Sequence, residues 1–539
     1  MRACLKTSVF KFFAVTFFGV CLCVQAAPIG ENTPDTNTIA PAGEAVLLTP
    51  PASKKPRING PEVYGVRPGS PFLYRIPCTG ERPIKFSAKN LPNGLTLDAQ
   101  SGIITGKIST AGTNRVMLIA RNARGTAQRE FRIIVGQRLA LTPPMGWNSW
   151  YIYYHHVTEA AMRRAADQMV ASGMADYGYQ YVNIDDCWAV QPGLTNAEVG
   201  GPTRDANGQI LPNKRFPDMK GMVDYIHAKG LKAGIYTSPG PKTCAGFEGS
   251  WQHEAQDART FADWGFDFLK YDWCSYGKIF RDGDPRLLKT VSASAAKGLA
   301  GYKFPYELMS GELQKLDRDI VFNLCQYGKG DVWKWGGDVG NCWRTTDDLG
   351  AAKGTKLPGF YSIAFSNAKH WQDARPGAWN DPDYILIGWI GADHGKKFKR
   401  TTLSANEQYS YMSLWSLMAA PLIFSGDMTR LDAFTLNVLC NAEVIAVDQD
   451  TLGQQGKILR HTDNEFVLAR ELDDGSKAVG LFNLGEQPAK LAVSWTELGI
   501  SGKQHVRDLW RQKDLGKFNG EFQTTVPGHG VSMVRVWSK

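Results

Sequence analysis

The sequence predicts a multidomain protein in which a central (β/α)8 TIM barrel is flanked by an N-terminal β-sandwich and a C-terminal antiparallel β-sandwich. Three observations carry this expectation. The chain has 539 residues, room for about three domains of roughly 100–200 residues. Between residues 138 and 446 eight short apolar runs alternate with helical stretches, the pattern of a barrel of about 250 residues or more. On both sides of that block the pattern changes to short alternating β-like runs separated by turns.

Composition narrows the class. Hydrophobic residues at 43%, charged residues at 21% and a mean hydropathy of -0.28 exclude a disordered, collagenous or multi-span membrane chain. The net charge of +9 is spread along the chain in short runs such as KKPR at 54–57, which gives no support to a nucleic-acid partner.

Residues 1–26 carry Arg2, Lys6 and Lys11, an apolar stretch from Phe12 to Val24, and Val24-Gln25-Ala26 ahead of Ala27-Pro28. They read as a signal peptide, since the apolar run is too short for the ~20 residues of a membrane span. The expected protein is exported, periplasmic or secreted, with no membrane span. Residues 27–58, rich in Pro, Thr, Asn and Ala, read as a flexible linker. From 59 to 137 the runs FLYRI (72–76), GLTLD (94–98), RVMLIARN (115–122) and REFRIIVG (129–136) predict a small β-sandwich. This stretch resembles the immunoglobulin-like domains appended to bacterial exported proteins, a resemblance that leaves open a glycan or cell-surface contact.

In the barrel, the expected strands are MGWNSW (145–150), YQYVNID (179–185), LKAGIY (231–236), FDFLKYD (266–272), IVFNLC (320–325), NCWRTT (341–346), GAWND (377–381) and APLIFS (420–425). In EAAMRRAADQMVAS (159–172), Ala161, Met162, Ala165 and Met169 share one helical face. A doubly wound open sheet is the rival topology, but no glycine-rich phosphate turn follows the first strand. From 447 to 539 the runs FVLARELDD (466–474), KAVGLFNLG (477–485), KLAVSW (490–495) and VSMVRVW (531–537) predict the second β-domain.

Barrel enzymes carry their chemistry where strands end. Polar groups close four of these apolar runs: Asp185-Asp186, Asp272, Arg344 through Asp348, and Asn380-Asp381. Lys270, two residues before Asp272, shares its strand face, and a nearby ammonium favours the carboxylate form that a nucleophile requires. A second carboxyl group in Trp343-Arg344-Thr345-Thr346-Asp347-Asp348 would complete the pair that glycoside hydrolysis uses.

The motifs TPPMGWNSW (142–150), GYQYVNIDDCW (178–188), GLKAGIY (230–236), KTCAG (242–246), WGFDFLKYDWC (264–274), FNLCQYG (322–328), WRTTDDL (343–349), WNDPD (379–383) and AEVIAVDQDTLGQQG (442–456) together resemble family 27 of the glycoside hydrolases, the family of α-galactosidases and α-N-acetylgalactosaminidases. The resemblance implies a retaining exo-α-galactosidase acting on terminal α-D-galactosyl residues, with Asp272 as nucleophile and Asp348 as general acid/base. Asp347 falls where many relatives have Gly and is given no role. The resemblance further implies that Asp185 and Asp186 bind the sugar's O4 and O6 hydroxyls, that Trp150 lines the pocket, that Lys270 and Arg344 donate to ring hydroxyls, and that Tyr236 sits beside the nucleophile. Gln326 replaces a family Glu, and its amide still serves a 2-hydroxyl; with Tyr327 its bulk argues against an acetamido sugar. The alternatives are a β-L-arabinopyranosidase on the same barrel and a non-catalytic galactose-binding protein. Disulfides Cys244–Cys274 and Cys325–Cys342 are implied by the same resemblance, with Cys78, Cys187 and Cys440 unpaired. His155 and His156 invite a metal reading, but nine His with no HExxH or CxxC motif imply no metal and no cofactor.

Overall fold

The computed structural model describes residues 46–351 and 356–538, so the expected signal peptide and residues 27–45 of the expected linker lie outside the described residues. Eight parallel strands form the centre: β1 Met145–Asn148, β2 Tyr181–Asn183, β3 Lys232–Thr237, β4 Phe268–Asp272, β5 Val321–Cys325, β6 Cys342–Arg344, β7 Trp379–Asp381 and β8 Leu422–Phe424. They pair in chain order from β1 to β7, and β8 pairs with β1. The sheet closes just past β7, where Ile385 pairs in parallel with Phe424 and its amide donates to the Ile423 carbonyl at 2.7 Å. Every residue of these eight strands is buried. That is why they read as near-continuous apolar runs: inner faces fill the barrel and outer faces meet helices. The TIM barrel expected from the sequence is therefore present, with all eight predicted runs supplying its strands.

The helix Glu159–Ala171 shows how sequence becomes packing. Thr158 caps it by accepting from the Ala161 amide. The stripe Ala161, Met162, Ala165, Ala166 and Met169 is buried against the barrel. Burial of each methionine stabilises by about 1.5–3 kcal/mol.

The N-terminal sandwich has a four-stranded sheet (Val63–Val66, Gly125–Val135, Gly112–Asn122, Lys85–Lys89) facing a three-stranded one (Pro71–Arg75, Ile103–Lys107, Leu95–Leu97). Phe72, Tyr74, Ile104, Val116, Leu118, Phe131 and Ile133 fill the space between them. This domain covers the end of the barrel where strands begin. Arg67 pairs with Asp319 at 2.6 Å, and Ser70 donates to the same carboxylate at 2.9 Å. Lys232, first residue of β3, donates to the Tyr64 hydroxyl.

Residues 46–49, expected within a flexible linker, are instead tied to the barrel. Asn437 and Thr49 exchange three hydrogen bonds of 2.8–2.9 Å, and Tyr409 bonds Val46 and Leu48 backbone groups. Backbone groups that find fixed partners stay ordered whatever their composition suggests.

The C-terminal domain is antiparallel throughout, six strands in one sheet and two in another. Buried Arg470 and Trp510 bond it to Ser416 and Ser413 of the helix Ala405–Leu417, which precedes β8, at 2.9 and 2.8 Å. Among the described residues no helix is long and apolar enough to cross a membrane.

Candidate active site

A cavity opens at the end of the barrel where strands finish. Trp150 and Tyr151 follow β1, Asp185 follows β2, Tyr236 lies in β3, Lys270 and Asp272 close β4, and Arg344 ends β6. Tyr327, Asp348, Asp383 and Tyr384 come from the loops after β5, β6 and β7, and Cys244 from the loop after β3. Alternation along β4 aims Lys270 and Asp272 at the same side.

Asp272 is buried, and each of its oxygens accepts a tyrosyl hydroxyl, Tyr327 at 2.6 Å and Tyr236 at 3.1 Å. Burial raises its pKa above the ordinary carboxylate value, against the downward pull of the Lys270 charge and the Tyr327 hydroxyl. The Lys270 charge thus favours the ionised carboxylate, as its place on the strand led us to expect, while its ammonium bonds Asp185 at 2.9 Å, with the Tyr236 and Tyr384 rings each 5.1 Å away. Burial disfavours its charge, but Asp185, Tyr384, Cys325 and Asp272 together outweigh this and hold the ammonium well above its usual pKa. Tyr384 donates to the same Asp185 oxygen at 3.0 Å.

Asp348 stands apart in exposure. Its side chain is 47% accessible, whereas that of Arg344 is 2%. Arg344 Nη1 donates to Asp348 at 3.1 Å, and Nη2 pairs with Asp383 at 3.2 Å. Asp383 in turn accepts from Tyr151 at 2.9 Å and from the Leu349 amide at 2.8 Å. The loop bearing Asp348 is thus pinned at its next residue, while Asp348 itself projects into the opening. One shielded and one accessible carboxylate in a single pocket can divide nucleophilic and proton-transfer work.

Seven residues singled out from sequence meet here: Trp150, Asp185, Tyr236, Lys270, Asp272, Arg344 and Asp348. Two do not line the cavity. Asp186 turns away, accepting from the amides of Cys187 at 2.7 Å and Ala245 at 2.9 Å, and burial pushes its carboxyl up to about 7. Gln326 is fully buried and its amide donates to the Tyr302 carbonyl at 3.1 Å. Sequence reasoning missed Tyr151, Asp383 and Tyr384 as lining residues and weighed Tyr327 only as bulk. A signal existed for Asp383, since it ends the quoted block WNDPD.

Of the two expected disulfides, Cys244–Cys274 is present, joining the loop after β3 to the end of β4 beside the Tyr236 hydroxyl, 3.2 Å from Cys274 Sγ. Cys325–Cys342 is not, and both thiols are free and buried. Cys342 lies opposite Asn323 on the neighbouring strand, two residues short of Cys325. An offset of about 6.6 Å along the strand and about 4.8 Å across it separates the Cα atoms by roughly 8 Å, beyond the ~7 Å a disulfide spans. Asn323 donates to Cys342 Sγ at 3.1 Å, which gives that thiol a different partner. Cys78, Cys187 and Cys440 are also free and buried among the described residues. Cys244, Asp272 and Cys274 cluster closely enough to suggest a cation site, but a disulfide offers no thiolate to a metal.

Comparison with known proteins agrees with this geometry. Residues 142–450 match the model of the family described as alpha galactosidase A, residues 463–536 the alpha galactosidase C-terminal beta sandwich domain, and residues 28–136 an Ig domain model. An alpha-galactosidase of Oryza sativa is 36% identical over 419 residues, spanning 77% of this chain and 89% of the rice protein. A crystal structure from Bacteroides fragilis, assigned as an alpha-galactosidase/melibiase, superposes with a TM-score of 0.79 at 37% identity over 92% of this chain and 99% of that one. Alpha-galactosidase I from Mortierella vinacea gives 0.63 at 30% identity, covering 74% of this chain and 98% of the fungal one. A barrel with two carboxylates at its mouth, followed by the family's own β-sandwich, places the chain in the α-galactosidase family, family 27 of the glycoside hydrolases.

Proposed function

We propose that the protein is a retaining exo-α-galactosidase that releases terminal α-D-galactose from oligosaccharides, polysaccharides or glycoconjugates. The observation that carries this reading is the pairing of Asp272, buried and held by two tyrosyl hydroxyls, with the accessible, Arg344-bonded Asp348 in one pocket.

The chemistry follows from that asymmetry. An oxygen of Asp272 attacks C1 of the galactosyl ring as the bond to the leaving oxygen breaks, and protonated Asp348 gives that oxygen its proton. The product is a β-galactosyl ester of Asp272. Asp348, now ionised, takes a proton from water, the water oxygen attacks C1, and Asp272 leaves as carboxylate with α-galactose released. Arg344, fixed between Asp348 and Asp383, holds the acid in place. The Lys270–Asp185–Tyr384 cluster offers both donors and acceptors to O4 and O6, which suits an axial O4. Asp186 acts indirectly, by anchoring the backbone at Ala245.

A β-L-arabinopyranosidase of Geobacillus stearothermophilus shares the fold at 25% identity and a TM-score of 0.62. The retained Asp185 favours galactose over a sugar lacking the C6 hydroxymethyl group. Turnover of nitrophenyl α-galactoside above the α-N-acetylgalactosaminide, β-L-arabinopyranoside and α-glucoside checks the assignment; a preference for any other member of the panel overturns it. Export is part of the same proposal, supported by the leader-like first 26 residues and a disulfide beside the pocket. The N-terminal mass of enzyme recovered outside the cytoplasm tests it. The immunoglobulin-like domain we read first as a cover for the base of the barrel, its outer face being what remains for any glycan contact.

A further inference from the structure

Beyond the cavity the rim carries an aromatic surface that the chemistry above does not use. Trp150 lines the cavity, and the chain continues through Tyr154–His156. The Tyr154 ring lies 5.1 Å from Trp150, and His155 lies 6.1 Å from it. His394, from the hairpin Trp389–Ala392 and Lys397–Arg400, lies 6.1 Å from Tyr154 and 6.3 Å from His155. The four rings close into one patch that runs outward from the pocket, half-exposed at Trp150 and Tyr154 and exposed at both histidines.

The patch is built rather than incidental. Two loops from distant parts of the chain meet backbone to backbone: a Cβ at Gly391 would lie 2.5 Å from the Ile152 carbonyl, and one at Gly395 would lie 2.1 Å from that of Tyr153. Only glycine permits this approach. Tyr154, Asp393 and His394 take φ values of 43°, 49° and 51°, a region that residues with side chains avoid. Arg215 bonds the His155 carbonyl and fixes the other edge. Among the described residues these histidines join no group of three converging metal ligands. Partial burial, with His394, His156 and Arg215 nearby, lowers the pKa of His155.

The patch also has a direction. Tyr151, whose ring is 6.1 Å from Tyr154, accepts at its hydroxyl from the Gly350 amide at 3.0 Å, two residues past Asp348. The row therefore starts beside the loop whose carboxyl group protonates the departing oxygen. We propose that Trp150, Tyr154, His155 and His394 form a stacking subsite for sugar rings on the leaving-group side, so that the preferred substrates are oligosaccharides in which α-galactose caps one or two further sugars. The C–H faces of pyranose rings lie against aromatic rings, excluding water from both. This rests on the reading of Asp348 as the acid.

The test compares kcat/KM for methyl α-galactoside, melibiose and raffinose, which place no, one and two sugar rings beyond galactose. Wild type is expected to gain at least about tenfold from the first to the last, and the double variant H155A/H394N to lose about tenfold in the ratio, mostly through KM. Asn is chosen at 394 because it tolerates the left-handed backbone. Equal losses on all three substrates, an unchanged ratio in the variant, or a wild type indifferent to added sugars overturns the subsite. Absence of turnover on every α-galactoside overturns the hydrolase reading instead, so the two failures are distinct.

Discussion

Two buried lysines stand at opposite ends of the same barrel in nearly the same surroundings. Lys232 begins β3, with the Tyr64 and Tyr181 rings at 4.4 and 5.6 Å; Lys270 lies near the end of β4, with the Tyr236 and Tyr384 rings at 5.1 Å each. Both are 8% exposed. The difference is what each ammonium faces. Lys232 is covered by the N-terminal sandwich through the Tyr64 hydroxyl, whereas Lys270 pairs with Asp185 at the wall of an open cavity. A cation between aromatic rings is therefore no marker of function by itself. Its position along the strand decides, because loops that follow strands shape the cleft and the opposite face serves stability.

The strongest break in this comparison comes at the cleft end. Asp272→Asn is expected to lower kcat on an aryl α-galactoside by more than about 10³-fold, and Asp348→Asn by about 10²–10⁴-fold. Azide added to an Asp272→Gly variant should restore part of the turnover and yield the β-galactosyl azide. Wild-type-like rates in both Asn variants would remove the assignment.

The lysines themselves give the next effects. Lys270→Met leaves the buried Asp185 carboxylate unpaired, a loss of about 3–5 kcal/mol where a buried pair is broken, and kcat/KM should collapse together with Tm. Lys232→Met leaves the Tyr64 hydroxyl without its donor, about 1–3 kcal/mol, so Tm should fall while kcat/KM stays within about twofold. Calorimetry and initial rates on the two variants measure the contrast; a Lys232→Met enzyme that loses activity at unchanged Tm would erase it.

How much of this was legible beforehand follows from what each residue depends on. The eight strands could be read because a strand buried on both faces is a near-continuous apolar run, a property of the local sequence alone. Asp185, Lys270, Asp272, Arg344 and Asp348 could be read because a charge at the end of such a run has few places to go but the cleft. Asp186 and Gln326 could not, since each sits next to a residue on the pocket side and only the backbone path decides which one points in. The failure of Cys325–Cys342 is of another kind: register belongs to two strands at once, and neither strand's sequence states it. Tyr327 and Tyr384 lie on loops and Tyr151 on a single helical turn, where no periodicity sets direction. The anchoring of residues 46–49 depends on Asn437, 388 positions from Thr49.

Tyr327 supplies the finest test, because it acts on a protonation state and not on a contact with substrate. Tyr327 and Gly328 are both left-handed, at φ 60° and 77°, and this turn brings the phenol back to within 2.6 Å of Asp272. As the proposed nucleophile, Asp272 must be ionised to attack, so activity is expected above its pKa and lost as pH falls through it. Burial already raises that pKa, and the Tyr327 hydroxyl, with the Lys270 charge, restrains it. Removing the hydroxyl in Tyr327→Phe takes away a hydrogen bond to the charged form. The acid limb of kcat/KM should then move to higher pH while the alkaline limb stays where it is, so the profile narrows from the acidic side alone. A pH profile of the Phe variant that superimposes on wild type after scaling would show that Tyr327 only fills space, and the tuning of the nucleophile would have to be sought in Lys270 and the Tyr236 hydroxyl.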